Sequence, residues 1–152
     1  MPRYTLQSLA LILALMSSAT SFADGTANQD ERRMHAIRII IGERIINATL
    51  EHTPSSRDFI AQLPLSIDLE DYSSTEKIAY LPRKLATTDA PSGVDPDIGD
   101  ITYYAPWGNL AIFYRDFGYS RGLIKLGRIT AGLEHLSYIG SKPVKIELAP
   151  VG

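Results

Sequence analysis

A mainly β fold, closed into a small eight-stranded barrel with one main helix and one short helix, is what this 152-residue chain predicts. Three observations carry that expectation. From Ala36 onward apolar residues recur with a period of two, the spacing that sends alternate side chains to opposite faces of a strand. The pattern returns in eight short segments separated by turn-forming residues, while a long helical stripe with both a start and a stop signal occurs once. Eight strands in so short a chain would leave raw edges in an open sheet, and closure into a barrel removes them.

The first two strands lie in AIRIIIGERIINATL, where Gly42-Glu43 separates two β-branched runs and suits a two-residue hairpin with glycine first in the turn. That turn sets Ile41 opposite Arg44, Ile39 opposite Ile46 and Ile37 opposite Ala48, with Leu50 continuing the same face. Ile37, Ile39, Ile46, Ala48 and Leu50 are then the inward set. Ile40 and Ile45 share the other face and call for cover of their own, for which the following helix is the candidate.

That helix is read in TPSSRDFIAQLP, with Thr53 or Ser55 as N-cap, Pro54 in the first turn, Pro64 as the stop and Phe59, Ile60 and Leu63 as the apolar stripe. Leu65, Ile67 and Leu69 alternate with Ser66, Asp68 and Glu70 in a half-buried strand, and EKIAYLP supplies the next. ATTDAPSGVDPDIG is dense in glycine, proline and aspartate and reads as a surface loop. Strands over Asp100 to Ala105 and Leu110 to Arg115 flank a Pro106-Trp107-Gly108-Asn109 turn. A strand from Ile124 to Thr130, a short helix near Gly132 to Tyr138 and a last strand from Val144 to Leu148 complete the set. Within the first of these, a bulge at Gly127 turns Arg128 outward and Ile129 inward.

The words FIAQLPLSIDLEDY, EKIAYLP and GDITYYAPWGNLAIFYRDFGYSRGLIKLGRI resemble the bacterial cyclophilin-like domain family, small β-barrels with the cyclophilin topology. The resemblance runs from about Ala36 to Leu148, and PWGNLAIFY and LGRI are its most specific words. What it implies is the fold. Prolyl isomerases of the cyclophilin type carry an arginine in a Phe-x-Arg-x-x-x-x-Phe word, a Gln-Gly-Gly-Asp word, and a binding-site tryptophan and histidine; those words do not occur here. Isomerase activity carried over from the fold alone would be analogy.

Domain organisation follows from composition. Met1-Pro2-Arg3, the apolar run Leu9 to Met16 and the small residues ending at Ala23 read as a secretory signal peptide, residues 1–23, because a membrane span needs about 20 apolar residues. Residues 24–35 read as a flexible linker and residues 36–150 as the barrel domain. The expected destination is the periplasm or the medium, with no stable membrane insertion once the leader is removed. Lys and Arg number 15 against 17 Asp and Glu, too even a balance for the basic footprint that nucleic acid requires. Cysteine is absent, which removes disulfides, thiol catalysis and thiolate metal sites. His35, His52 and His135 have no second ligand at metal spacing, so neither a metal nor another cofactor is expected. No Gly-x-Ser-x-Gly word and no phosphate loop occurs, and Glu70 and Asp71, being consecutive on a strand, point apart.

The remaining signal is aromatic. Tyr103, Tyr104, Trp107, Phe113, Tyr114 and Phe117 crowd one hairpin, and rings fall on both of its faces; one set is expected inside the barrel and the other under the helix. Trp107, at a strand junction beside Pro106 and Gly108, is placed instead at a groove. The candidate ligand-binding residues are Tyr104, Trp107, Asn109, Arg115 and Arg128. Arg128 is expected near a barrel end, free to take a carboxylate or to pair with Glu76 or Asp100; no catalytic residue is assigned. Two functions fit: a non-catalytic module binding a peptide or small molecule, or an atypical peptidyl-prolyl cis-trans isomerase in which Arg115 or Arg128 would face the proline amide.

Overall fold

The computed structural model describes residues 34–151. The leader and most of the linker read in the sequence lie outside the described residues. His35, read as the end of the linker, is already the first residue of strand β1.

Strands β1 (His35–Ile41) and β2 (Arg44–Leu50) form the expected hairpin, with Ile37 opposite Ala48, Ile39 opposite Ile46 and Ile41 opposite Arg44. Gly42 sits at φ +57°, a left-handed conformation that costs glycine nothing and lets a two-residue turn follow the twist of its strands. Ile37, Ile39, Ile46, Ala48 and Leu50 are all buried. Ile40 and Ile45 are not covered by the helix: Ile40 is partly exposed and Ile45 is 45% exposed. Helix α1 (Pro54–Ile60) serves the interior instead, where Phe59 is completely buried in the core cluster. Thr53 is its N-cap, the hydroxyl accepting the Ser56 N–H at 3.1 Å, and the Ser56 hydroxyl donates to the Leu126 carbonyl at 2.9 Å, tying the helix to the wall.

The chain continues through β3 (Leu65–Tyr72), β4 (Glu76–Tyr80), β5 (Gly93–Val94), β6 (Asp100–Tyr104), β7 (Asn109–Phe113), β8 (Ser120–Arg121), β9 (Leu123–Ala131), a 3-10 turn (Leu133–Leu136) and β10 (Ser141–Leu148). Eight strands close in the order β1-β10-β3-β4-β7-β6-β9-β2, every neighbour antiparallel. The long segment between β4 and β6 is a loop as expected, pinned by β5 pairing with β8. Leu85 from this loop enters the core, and its N–H donates to the buried Tyr103 hydroxyl at 3.2 Å.

Gly127 is a bulge. It pairs with Ile101 while Lys125 pairs with Thr102, so Leu126 has no partner on β6. Beyond it Arg128 is exposed and Ile129 is buried, the inversion that an extra residue produces. β2 also lies very close at this point: a Cβ built on Gly127 would stand 2.0 Å from the Thr49 carbonyl oxygen. No rotamer relieves a backbone collision, so the strands would have to separate. Gly127→Val is therefore expected to destabilise the barrel by about 2–4 kcal/mol, the range of a severe steric substitution in a packed region. A thermal melt checks this, and an unchanged midpoint would refute the close approach.

Candidate functional site

A barrel strand has an inner and an outer face, and in four neighbouring strands both are apolar. On β7, Leu110 and Ile112 belong to the interior cluster while Ala111 and Phe113 belong to a second cluster with Ile78 of β4 and Leu123 of β9, against which Tyr104 of β6 and Val94 pack. The hairpin rings therefore divide as the two-face reading requires, with Tyr103 inside and Tyr104 and Phe113 outside. The outer set is not under the helix. It is bordered by two connecting segments: the residues after β7, where the Phe117 ring meets Phe113 at 5.6 Å, and the β6–β7 turn, which carries Trp107. In that turn the Gly108 N–H donates to the Tyr104 carbonyl at 2.9 Å.

Between these borders lies a groove of about 250 Å³ lined by Tyr72, Glu76, Tyr104, Trp107, Asn109 and Phe113, with Phe117, Ser120 and Leu123 at its edges. Trp107 is 50% exposed. Its ring meets Tyr104 at 5.4 Å and 78° and Tyr72 at 5.8 Å and 83°, so two rings stand steeply to the indole. Edge-to-face contacts of this kind add about 0.5–1.5 kcal/mol each to area burial and hold the rings in place.

Two of the groove's polar groups, on Glu76 and Asn109, are acceptors that no donor among the described residues reaches. Asn109 is buried, its amide N–H donates to the Leu110 carbonyl at 2.9 Å, and its Oδ1 receives no hydrogen bond within the protein. Glu76 opens β4 directly across from Phe113. Burial among these rings pushes its carboxyl up to about 7, the direction expected when desolvation acts with no cation to oppose it. Its neighbour Lys77 cannot serve, because the strand alternation sends it inward. There the Lys77 ammonium, with no exposed surface, donates to Asp71 at 2.7 Å and to the Tyr138 carbonyl and lies over the Tyr138 ring at 4.0 Å.

The structure brings together three of the five sequence candidates, Tyr104, Trp107 and Asn109. Arg115 and Arg128 do not line this groove. Arg115 borders a different depression with Asp71, Tyr114 and Tyr138, its guanidinium 5.8 Å from the Tyr114 ring. In that depression Lys77, and then the Tyr114 hydroxyl, hold the Asp71 carboxyl below its usual range, while burial and the Asp71 charge push Tyr138 up to about 12. Arg128, turned outward by the bulge, stands across from Asp100, but Asp100 is taken by Lys125 at 3.1 Å and by the Asp97 N–H at 2.9 Å. The sequence reading missed Glu76, Tyr72 and Phe117 as groove residues. The signal available for Glu76 was an acid two residues before Ile78, on the same strand face as an apolar residue. A further depression of about 240 Å³, between the start of α1 and residues 88–94, holds Glu51 and Lys125 but no aromatic ring. The His35 and His52 rings stack at 5.8 Å, and among the described residues no group of three metal-ligating side chains occurs.

The closed eight-stranded barrel agrees with a family match over residues 39–149, to the model described as the cyclophilin-like family. The chain belongs to that family. The fold is also similar to the solution structure of the hypothetical protein AF2241 from Archaeoglobus fulgidus, with a TM-score of 0.59 and 17% identity over 76% of this chain and 95% of that one. No curated protein matches the sequence. Within this cyclophilin-like barrel the groove is a place where burial costs stability. A raised carboxyl pKa means that the folded chain binds that proton more tightly than the unfolded chain does, so stability falls as pH climbs from the ordinary carboxylate range through 7. Glu76→Gln is expected to raise stability at pH 8 by about 1 kcal/mol given the partial solvent screening of the site, read as a higher melting temperature, and to leave it unchanged at pH 4. Equal effects at the two pH values would mean that the carboxyl is not desolvated.

Proposed function

We propose that this cyclophilin-like barrel is an exported, non-catalytic binding module that takes a peptide side chain or a small molecule in the groove of Tyr72, Glu76, Tyr104, Trp107 and Asn109. The observation that carries the reading is Trp107: a half-exposed indole braced by Tyr72 and Tyr104 beside an unpartnered buried acceptor on Asn109. Aromatic residues fixed in place with their faces open to solvent are the common anchors of recognition sites. Export is supported by the leader read in Met1 to Ala23.

The alternative, an atypical prolyl isomerase, needs a donor aimed at the proline amide to stabilise a twisted peptide bond whose barrier is about 18–20 kcal/mol. Neither Arg115 nor Arg128 lines the groove, and one N–H of the Asn109 amide is already used by the Leu110 carbonyl. The acceptors left without a protein donor among the described residues, Glu76 and Asn109 Oδ1, suit a ligand that brings a donor or a positive charge. The purified protein is therefore expected to leave cis-trans isomerisation of a proline-containing tetrapeptide at its background rate; clear acceleration would favour the enzyme. In the same preparation acrylamide should quench Trp107 readily, and Trp107→Ala should cost about 1–2 kcal/mol through its two ring contacts, against the roughly 3–5 kcal/mol that truncating a buried tryptophan costs. A shielded indole with a collapsed melt in the alanine variant would remove the groove as a binding site.

A further inference from the structure

We infer that the group bound in this groove is an organic cation, an alkylated ammonium carried by a small molecule. The inference rests on the groove being a binding site and specifies its ligand.

Two independent features point the same way. The first is the walls. Trp107, Tyr72 and Tyr104 stand at 78–83° to one another across the two ring contacts, and the Phe113–Phe117 pair continues the lining. Ring faces carry negative quadrupole charge, and several rings set at steep angles around one small volume attract a cation, tryptophan most strongly; such boxes recognise quaternary ammonium groups. The second is the polar inventory. Glu76 contributes a carboxylate and Asn109 contributes Oδ1, both acceptors, and among the described residues neither has a donor from the protein.

The cations nearby are committed or outside. Lys77 faces the interior and is held by Asp71, Lys125 is held by Asp100, Arg115 lies on Tyr114, and Arg121 on β8 is exposed. Lys84, exposed, passes Gly108 with its aliphatic chain. An apolar ligand would strip the remaining water from the partly exposed Glu76 and return nothing, an anion would be repelled by its charge, and a cation compensates that charge. Burial that raises the Glu76 carboxyl toward neutrality in the empty groove is what a bound cation would reverse.

The test uses the full chain and its one tryptophan. Choline is titrated against Trp107 fluorescence at pH 8, in parallel with 3,3-dimethylbutan-1-ol, which has the same shape with carbon in place of the charged nitrogen. Choline is expected to bind at least about tenfold more tightly than the alcohol. Its affinity should fall as pH drops from 8 to 5.5, because protonation removes the Glu76 charge, and Glu76→Gln should weaken choline at pH 8 while leaving the alcohol unchanged. Equal binding of the two probes, or choline binding that ignores both pH and the substitution, overturns the cation and leaves the groove standing. Silence from both probes also overturns it, and the acrylamide and Trp107→Ala measurements then decide separately whether the groove itself fails.

Discussion

Alternation in a closed barrel is the constraint from which the rest of this structure follows. Each strand must send every second residue outward, and closure leaves no second sheet to receive what points out. Where β4, β6, β7 and β9 meet, the outward residues include Ile78, Ala111, Phe113 and Leu123, all buried, so something other than the barrel must cover them. The β6–β7 turn and the residues after β7 do so, with Trp107 on one and Phe117 on the other. Cover made from these short segments, with Val94 of β5 beside them, is incomplete, and the gap between the turn and the residues after β7 is the groove. The groove is thus a by-product of giving one side of the barrel a second apolar face.

The same alternation separates two adjacent charges. Glu76 and Lys77 are consecutive, and their side chains enter different worlds. Lys77 meets Asp71, a backbone carbonyl and two tyrosine rings, a set that repays the desolvation of a buried ammonium through hydrogen bonds and charge. Glu76 is less deeply placed yet worse off, because it is desolvated and no hydrogen bond or cation of the described residues compensates it. A satisfied buried charge is a structural element. A desolvated carboxyl left unsatisfied at an opening costs stability, and it is the feature on which the proposed cation site rests.

Local rules made much of this legible in the sequence. Gly42 fixed one hairpin and with it the inward set from Ile37 to Leu50, and Gly127 between Leu126 and Arg128 announced the bulge, because both effects act within a few residues. The division of the 103–114 rings into inner and outer sets followed from period two. What escaped depended on register between strands far apart in the chain. Nothing near Glu76 announces that Phe113 lies across from it, and nothing near Phe117 shows that its ring will reach Phe113. Arg115 and Arg128 were grouped with the rings by proximity in sequence, and the strand faces and the bulge direct them elsewhere. Ile40 and Ile45 mark a face that local periodicity assigns to the helix, but Phe59 is buried inside the barrel, so that face stays partly in solvent.

Glu76 is a desolvated carboxyl under the aromatic groove, and the proposed cation would compensate its charge. Carbon-13 NMR of the Glu76 side-chain carboxyl, followed through a pH titration of the full chain, measures this directly. A midpoint near 7 in the free protein, moving down toward the ordinary carboxylate range when the groove is saturated with choline, is the result this account predicts. A midpoint already in the ordinary range in the free protein would contradict it, since the carboxyl would then be hydrated or paired and the groove would have nothing for a cation to complete.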